Sequence, residues 1–135
     1  MAKYDDGRVT ALLGSYLYPG EQLYHWAYGT RVPNRFLTVL FLGALGLLLF
    51  TKHYVVGLTS HRVLVLRIGG NLQVKEVLEY SRWQLPAARV ADRRWTTIEL
   101  GAFRADFHKR GVPHNREQAR AIAAALAPAP QLAAS

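Results

Sequence analysis

Cysteine is absent from all 135 residues, which excludes structural disulfides and thiolate metal sites and leaves packing to hold the fold. Acidic residues are scarce: nine Asp plus Glu stand against seventeen Lys plus Arg, a net charge of +8. That sign favours phosphate-bearing partners such as anionic lipid or nucleic acid. The scarcity is also uneven. Between Gln22 and Lys75 there is no Asp or Glu, yet Arg31, Arg35, Lys52, Arg62, Arg67 and Lys75 all fall there. No Gly-x-Gly-x-x-Gly or phosphate-loop string occurs, Ser15, Ser60 and Ser81 lack a nucleophile-elbow context, and no two of His25, His53, His61, His108 and His114 stand at helical i, i+4 spacing with a Glu. The chain is therefore read as a non-enzyme with no catalytic residues, no metal site and no cofactor. The N-terminal MAKYDDGRVTALLGSY lacks the basic-then-apolar order of a secretory leader, so a cytoplasmic location is expected.

Inside the acid-free half lies the feature around which the rest is arranged. Phe36 to Phe50, FLTVLFLGALGLLLF, carries no charge, and its only polar side-chain group is the Thr38 hydroxyl. As a helix it would reach roughly 22 Å, short of a hydrocarbon core of about 30 Å. Arg31 and Arg35 precede it and Lys52 and His53 follow it, so the charge asymmetry that would orient a span is missing. Three readings stay open: a core helix or oligomer contact, a segment lying in or dipping into a membrane, and a short span. Basic and apolar character together are what an anionic membrane surface rewards, since the two terms add. On that reading Arg31, Arg35, Lys52, Arg62 and Arg67 meet phosphates, while Phe36, Leu37, Leu40, Phe41, Leu47 and Phe50 make the apolar contact.

The remaining pattern is that of a small α+β domain. After Asp5 and Asp6, residues Val9, Leu12, Leu13 and Tyr16 make one apolar face and predict a short helix over 6–16. Pro19-Gly20 is a turn, and Glu21 to Gly29 predicts a first strand. Tyr54 to Ile68 has β-branched and aromatic residues on both sides of Thr59-Ser60-His61-Arg62 and predicts an antiparallel hairpin. Further strands are expected over Leu72–Tyr80, Ala88–Trp95, Thr96–Leu100 and Phe103–His108, the last alternating apolar with polar. Asn115 with Gln118 marks a helix N-terminus, and Ala119, Ile122, Ala123 and Leu126 give that helix one apolar face before Pro128 stops it. Residues 1–127 form one domain and 128–135 a loose tail.

Two strings in this order resemble bacterial pleckstrin-homology-like domains. Tyr18-Pro19-Gly20-Glu21 is similar to the Pro-Gly-Glu string that leads into their first strand, and Leu58-Thr59-Ser60-His61-Arg62-Val63-Leu64 is similar to their Leu-Thr-x-x-Arg-Leu hairpin. The resemblance implies a curled antiparallel sheet or partly open barrel of about seven strands, closed by a C-terminal amphipathic helix. The apolar run 36–50 would then be a helical insertion between the first strand and the hairpin. A one-pass span there would put those strands on opposite sides of the bilayer. The expected function is a scaffold recruited to an anionic membrane surface or a membrane protein, peripheral to the inner face of the cell membrane. The alternatives are a soluble homo-oligomeric scaffold that uses 36–50 as its interface and, below it, a nucleic-acid binder. The last has its cue in Arg82, Arg89, Arg93, Arg94, Arg104, Lys109, Arg110, Arg116 and Arg120 with Trp83 and Trp95 interleaved, but it leaves the apolar run unexplained.

Overall fold

The computed structural model describes residues 6–31, 51–69, 72–82, 88–92, 95–101, 103–108, 112 and 114–126. Helix α1 (Asp6–Gly14) is followed by strands β1 (Leu23–Arg31), β2 (Lys52–Thr59), β3 (Arg62–Ile68), β4 (Val74–Ser81), β5 (Ala88–Asp92), β6 (Thr96–Leu100) and β7 (Phe103–Phe107), then helix α2 (Asn115–Leu126). The strands make one antiparallel sheet in the order β4-β3-β2-β1-β7-β6-β5. The sheet is not closed into a barrel: β4 and β5 end the hydrogen-bonded order. The apolar run 36–50 and the tail 128–135 lie outside the described residues.

β1 extends to Arg31, two residues beyond its sequence-based end, because β2 begins at Lys52 and supplies a partner for every residue from His25 up to that rung. β2 and β3 are buried on both faces, which explains why Tyr54–Ile68 reads as near-continuous apolar sequence rather than as strict alternation. On one face Tyr54, Val56, Leu58, Val63 and Val65 join Ala27, Ile98, Phe103 and Phe107 beneath Ala119, Ile122 and Leu126 of α2. On the other, Val55, Leu64, Leu66 and Trp26 pack with Val9 and Leu13 of α1. The indole N–H of Trp26 donates to Asp6 Oδ1 at 2.8 Å and ties the start of α1 to β1.

Among the described residues β1 and β7 pair at Thr30 and Asp106 alone, and below that rung a side chain takes over from the neighbouring strand. Asn115 Oδ1 accepts the Tyr28 N–H at 2.7 Å, and Asn115 Nδ2 donates to the Tyr28 carbonyl at 2.8 Å and the His108 carbonyl at 2.6 Å. Its amide thus mimics a strand edge and docks α2 onto β1, with a second bond between His25 Nδ1 and Gln118 Oε1 at 2.8 Å. Asn115 does begin α2, as its spacing to Gln118 predicts, but these bonds go to β1 and His108, a different role from that of an ordinary helix cap worth about 1 kcal/mol. Asn115 is fully buried. Removing it strands three backbone groups that cost about 1 to 3 kcal/mol each when left unmade, so Asn115→Ala should lower stability by about 3 kcal/mol or more in urea melts, well above the capping figure.

Gly29 marks a close approach rather than a turn. A Cβ there would stand 2.7 Å from Phe107 Cε2 and 3.0 Å from the Ala105 Cβ. Both neighbours are buried core residues. Gly29→Ala should therefore cost about 1 to 3 kcal/mol through overpacking, read as a lower denaturant midpoint.

Candidate functional site

The two strings that carry the family resemblance meet in space and form a buried ion-pair network. The turn Tyr18–Glu21 closes with a Glu21 N–H to Tyr18 carbonyl bond of 3.0 Å, and Gly20 takes φ +83°, where a side chain would be strained. That turn aims Glu21 inward. Its carboxylate accepts from Arg62 Nε at 3.0 Å, Arg62 Nη2 at 3.1 Å, the Tyr18 N–H at 2.9 Å and the Thr59 hydroxyl. Thr59 Oγ1 in turn accepts the N–H groups of His61 and Arg62, fixing the β2–β3 turn. Arg62 also donates to the Tyr16 carbonyl, pairs with Glu79 and lies 4.4 Å from the Tyr18 ring centroid. Burial is the largest single influence on the Glu21 pKa and acts to raise it, but the bonds from Arg62, Thr59 and the Tyr18 N–H, with the Arg62 charge, together bring it down to about 2.

Of the five cations assigned to phosphate contact, Arg62 thus stands apart. It is 6 % exposed and held between two carboxylates, so it ties the α1–β1 connection, at Tyr16 and Glu21, to β3 and β4 instead of facing a surface. Arg31 and Lys52 are opposite each other on the last rung of the β1–β2 ladder, both exposed, at the far end of the sheet from Arg62. Arg67 is at the same end, opposite Tyr54 on β2 and 3.5 Å from Glu76 on β4. The strand pleat places Arg31, Lys52, Tyr54 and Arg67 on the same side of the sheet. Burial raises the Tyr54 pKa, with the charges of Arg31 and Arg67 opposing it and that of Glu76 reinforcing it. Tyr54 meets Phe103 edge-on at 5.1 Å, while on the other side of the sheet His53 stacks on Tyr28 at 5.9 Å. Arg35 and the apolar contact set Phe36, Leu37, Leu40, Phe41, Leu47 and Phe50 lie outside the described residues.

The second basic population is partly neutralised. Asp92 accepts from Arg116 Nη2 at 3.0 Å and Arg120 Nε at 2.9 Å, besides the Thr96 hydroxyl at 2.8 Å. Those bonds, that of Thr96 foremost, hold its carboxyl below the usual value. Trp95 packs against His108 with ring centroids 4.9 Å apart. Among the described residues no group of His, Cys, Asp and Glu is placed to hold a metal ion, and no helix is long and apolar enough to cross a membrane.

Glu21 is the functional-group partner that sequence reasoning missed. A signal for it was present: it is the last carboxylate before the acid-free half, set directly after a Pro-Gly turn. No family model, no curated protein and no solved structure matches the chain.

Proposed function

We propose that the chain is a pleckstrin-homology-like, non-catalytic module that attaches to an anionic membrane surface, at the inner face of the cell membrane, through the Arg31–Lys52 end of its sheet. The observation that carries this reading is the pairing of Arg31 with Lys52. The chain leaves the sheet at one of these residues and returns at the other, on neighbouring strands about 5 Å apart, and the charge-free run 36–50 falls between them. A segment tethered in this way cannot cross a bilayer once, but it can enter one leaflet from the side where both of its ends begin. Apolar burial and the attraction of Arg31, Lys52 and Arg67 to lipid phosphates then act at the same place. Arg62 contributes fold rather than binding, and recruitment or scaffolding is the task that remains for a domain of this kind.

Vesicle flotation of the purified chain tests the reading. Cofloating with anionic vesicles at low salt, weakened by added salt and reduced with neutral vesicles, is the expected result. Protein that remains at the bottom of the gradient with every anionic composition would overturn it and favour a soluble homo-oligomer with 36–50 as its interface.

A further inference from the structure

The β3–β4 ladder has one residue without a counterpart: Arg67 faces Glu76 and Ile68 faces Val74, which leaves Lys75 as the extra residue of a bulge. A bulge breaks the alternation of its strand and re-aims the extra side chain. Gly69 shows where this one goes. A Cβ on Gly69 would stand 2.6 Å from Lys75 Cε, 3.2 Å from its Nζ and 3.6 Å from its Cδ, so the lysine stem occupies the space a side chain at 69 would take. Gly69 follows Arg67 by two residues, and strand alternation puts that space on the Arg67 side of the sheet. The Gly69 N–H donates to the Gln73 carbonyl at 2.7 Å, and the register of His53 with Ile68 sets Gly69 level with Lys52. Only a residue without a side chain leaves room for the stem there.

We infer that Lys75 is a fourth cation of the membrane-facing end, laid over Gly69 so that its ammonium meets lipid phosphate beside Arg31, Lys52 and Arg67. The inference rests on the membrane reading above and adds a residue which that reading left out. In a regular strand Lys75 and Glu76 would point to opposite sides; the bulge puts both on the side of Arg31, Lys52 and Arg67. Glu76 lies 3.5 Å from Arg67 Nε and offsets its guanidinium. Lys75, itself exposed, restores the positive excess on that side, over the ends of β1, β2 and β3, a width of about 10 Å. Lysine suits the place because its apolar stem covers backbone while its charged head stays among water and phosphates.

Binding curves of the full chain on vesicles of phosphatidylcholine with phosphatidylserine test this. Lys75→Gln should weaken binding about fivefold, and Lys75→Arg should keep most of the wild-type affinity. Arg82→Gln removes the same charge just past the other end of β4, roughly 20 Å away, and should leave binding within about twofold of the wild type. Gly69→Ala crowds the lysine stem, so it should weaken binding in the wild type and change nothing further in Lys75→Gln. Urea midpoints of Lys75→Gln should match the wild type, since the side chain is exposed. Lys75→Gln that binds as tightly as the wild type, equal losses in Lys75→Gln and Arg82→Gln, or a Gly69→Ala effect of the same size in both backgrounds would each overturn the inference, and wild-type binding in the same experiment would leave the membrane reading standing. Wild-type protein that binds none of these vesicles would overturn both.

Discussion

Arg62→Ala should destabilise the chain by about 3 to 5 kcal/mol at neutral pH, because it leaves a buried carboxylate without its counter-charge. Glu21 would keep only the Thr59 hydroxyl and the Tyr18 N–H. Arg62 would also no longer hold Tyr16, the link between α1 and β1. The same pair sets a pH dependence whose sign is determined. The Glu21 pKa falls from 4.5 to about 2 in the folded chain, so its contribution is complete above pH 4.5 and is lost as pH falls toward 2. A shift of that size amounts to roughly 3 kcal/mol. Urea midpoints at pH 7 and pH 2.5 should therefore differ strongly in the wild type and less in Arg62→Ala, where nothing comparable holds the carboxyl down. An Arg62→Ala variant as stable and as acid-sensitive as the wild type would show that the pair does not anchor the fold.

The second large effect concerns the opposite end of the sheet. Each Lys or Arg near an anionic surface contributes about 1 kcal/mol, so Arg31→Gln with Lys52→Gln should weaken binding to anionic vesicles by roughly 2 kcal/mol, about thirtyfold. Both residues are exposed and neither belongs to the core, so urea midpoints should scarcely move. Neutral-vesicle binding should also hold. Leu40→Asp with Leu47→Asp adds charge to the apolar run itself and should abolish both kinds of binding, with circular dichroism unchanged. Unfolding of that variant, or its fall into smaller assemblies, would instead place the run in a core or an oligomer contact.

The strands were legible because their chemistry is local. Phe103, Ala105 and Phe107 alternate with Arg104 and Asp106, and the structure buries the first set and leaves Arg104 exposed. The hairpin around Thr59–Arg62 and the apolar face of α2 were legible for the same reason. What could not be read depends on register between distant segments. Arg62 stands in a basic, acid-free stretch and reads as surface charge until β1, β2 and β3 are aligned and Glu21, 41 residues earlier, arrives beside it. Asn115 reads as a cap because the spacing to Gln118 is right. Its actual partner is the Tyr28 backbone, 87 residues away, left open where β7 diverges from β1. Openness of the sheet is likewise a matter of how far strands curl, on which the period of a single strand is silent.

The most direct measurement uses the lack of native cysteine. Leu40→Cys, labelled with an environment-sensitive fluorophore and mixed with anionic vesicles, reports whether the charge-free run meets hydrocarbon. A blue-shifted emission that lipid-borne quenchers extinguish is the expected result, reversed by added salt in step with release of the protein. Emission that stays unchanged while the protein cofloats with the vesicles would contradict the claim that the run between Arg31 and Lys52 is the membrane contact.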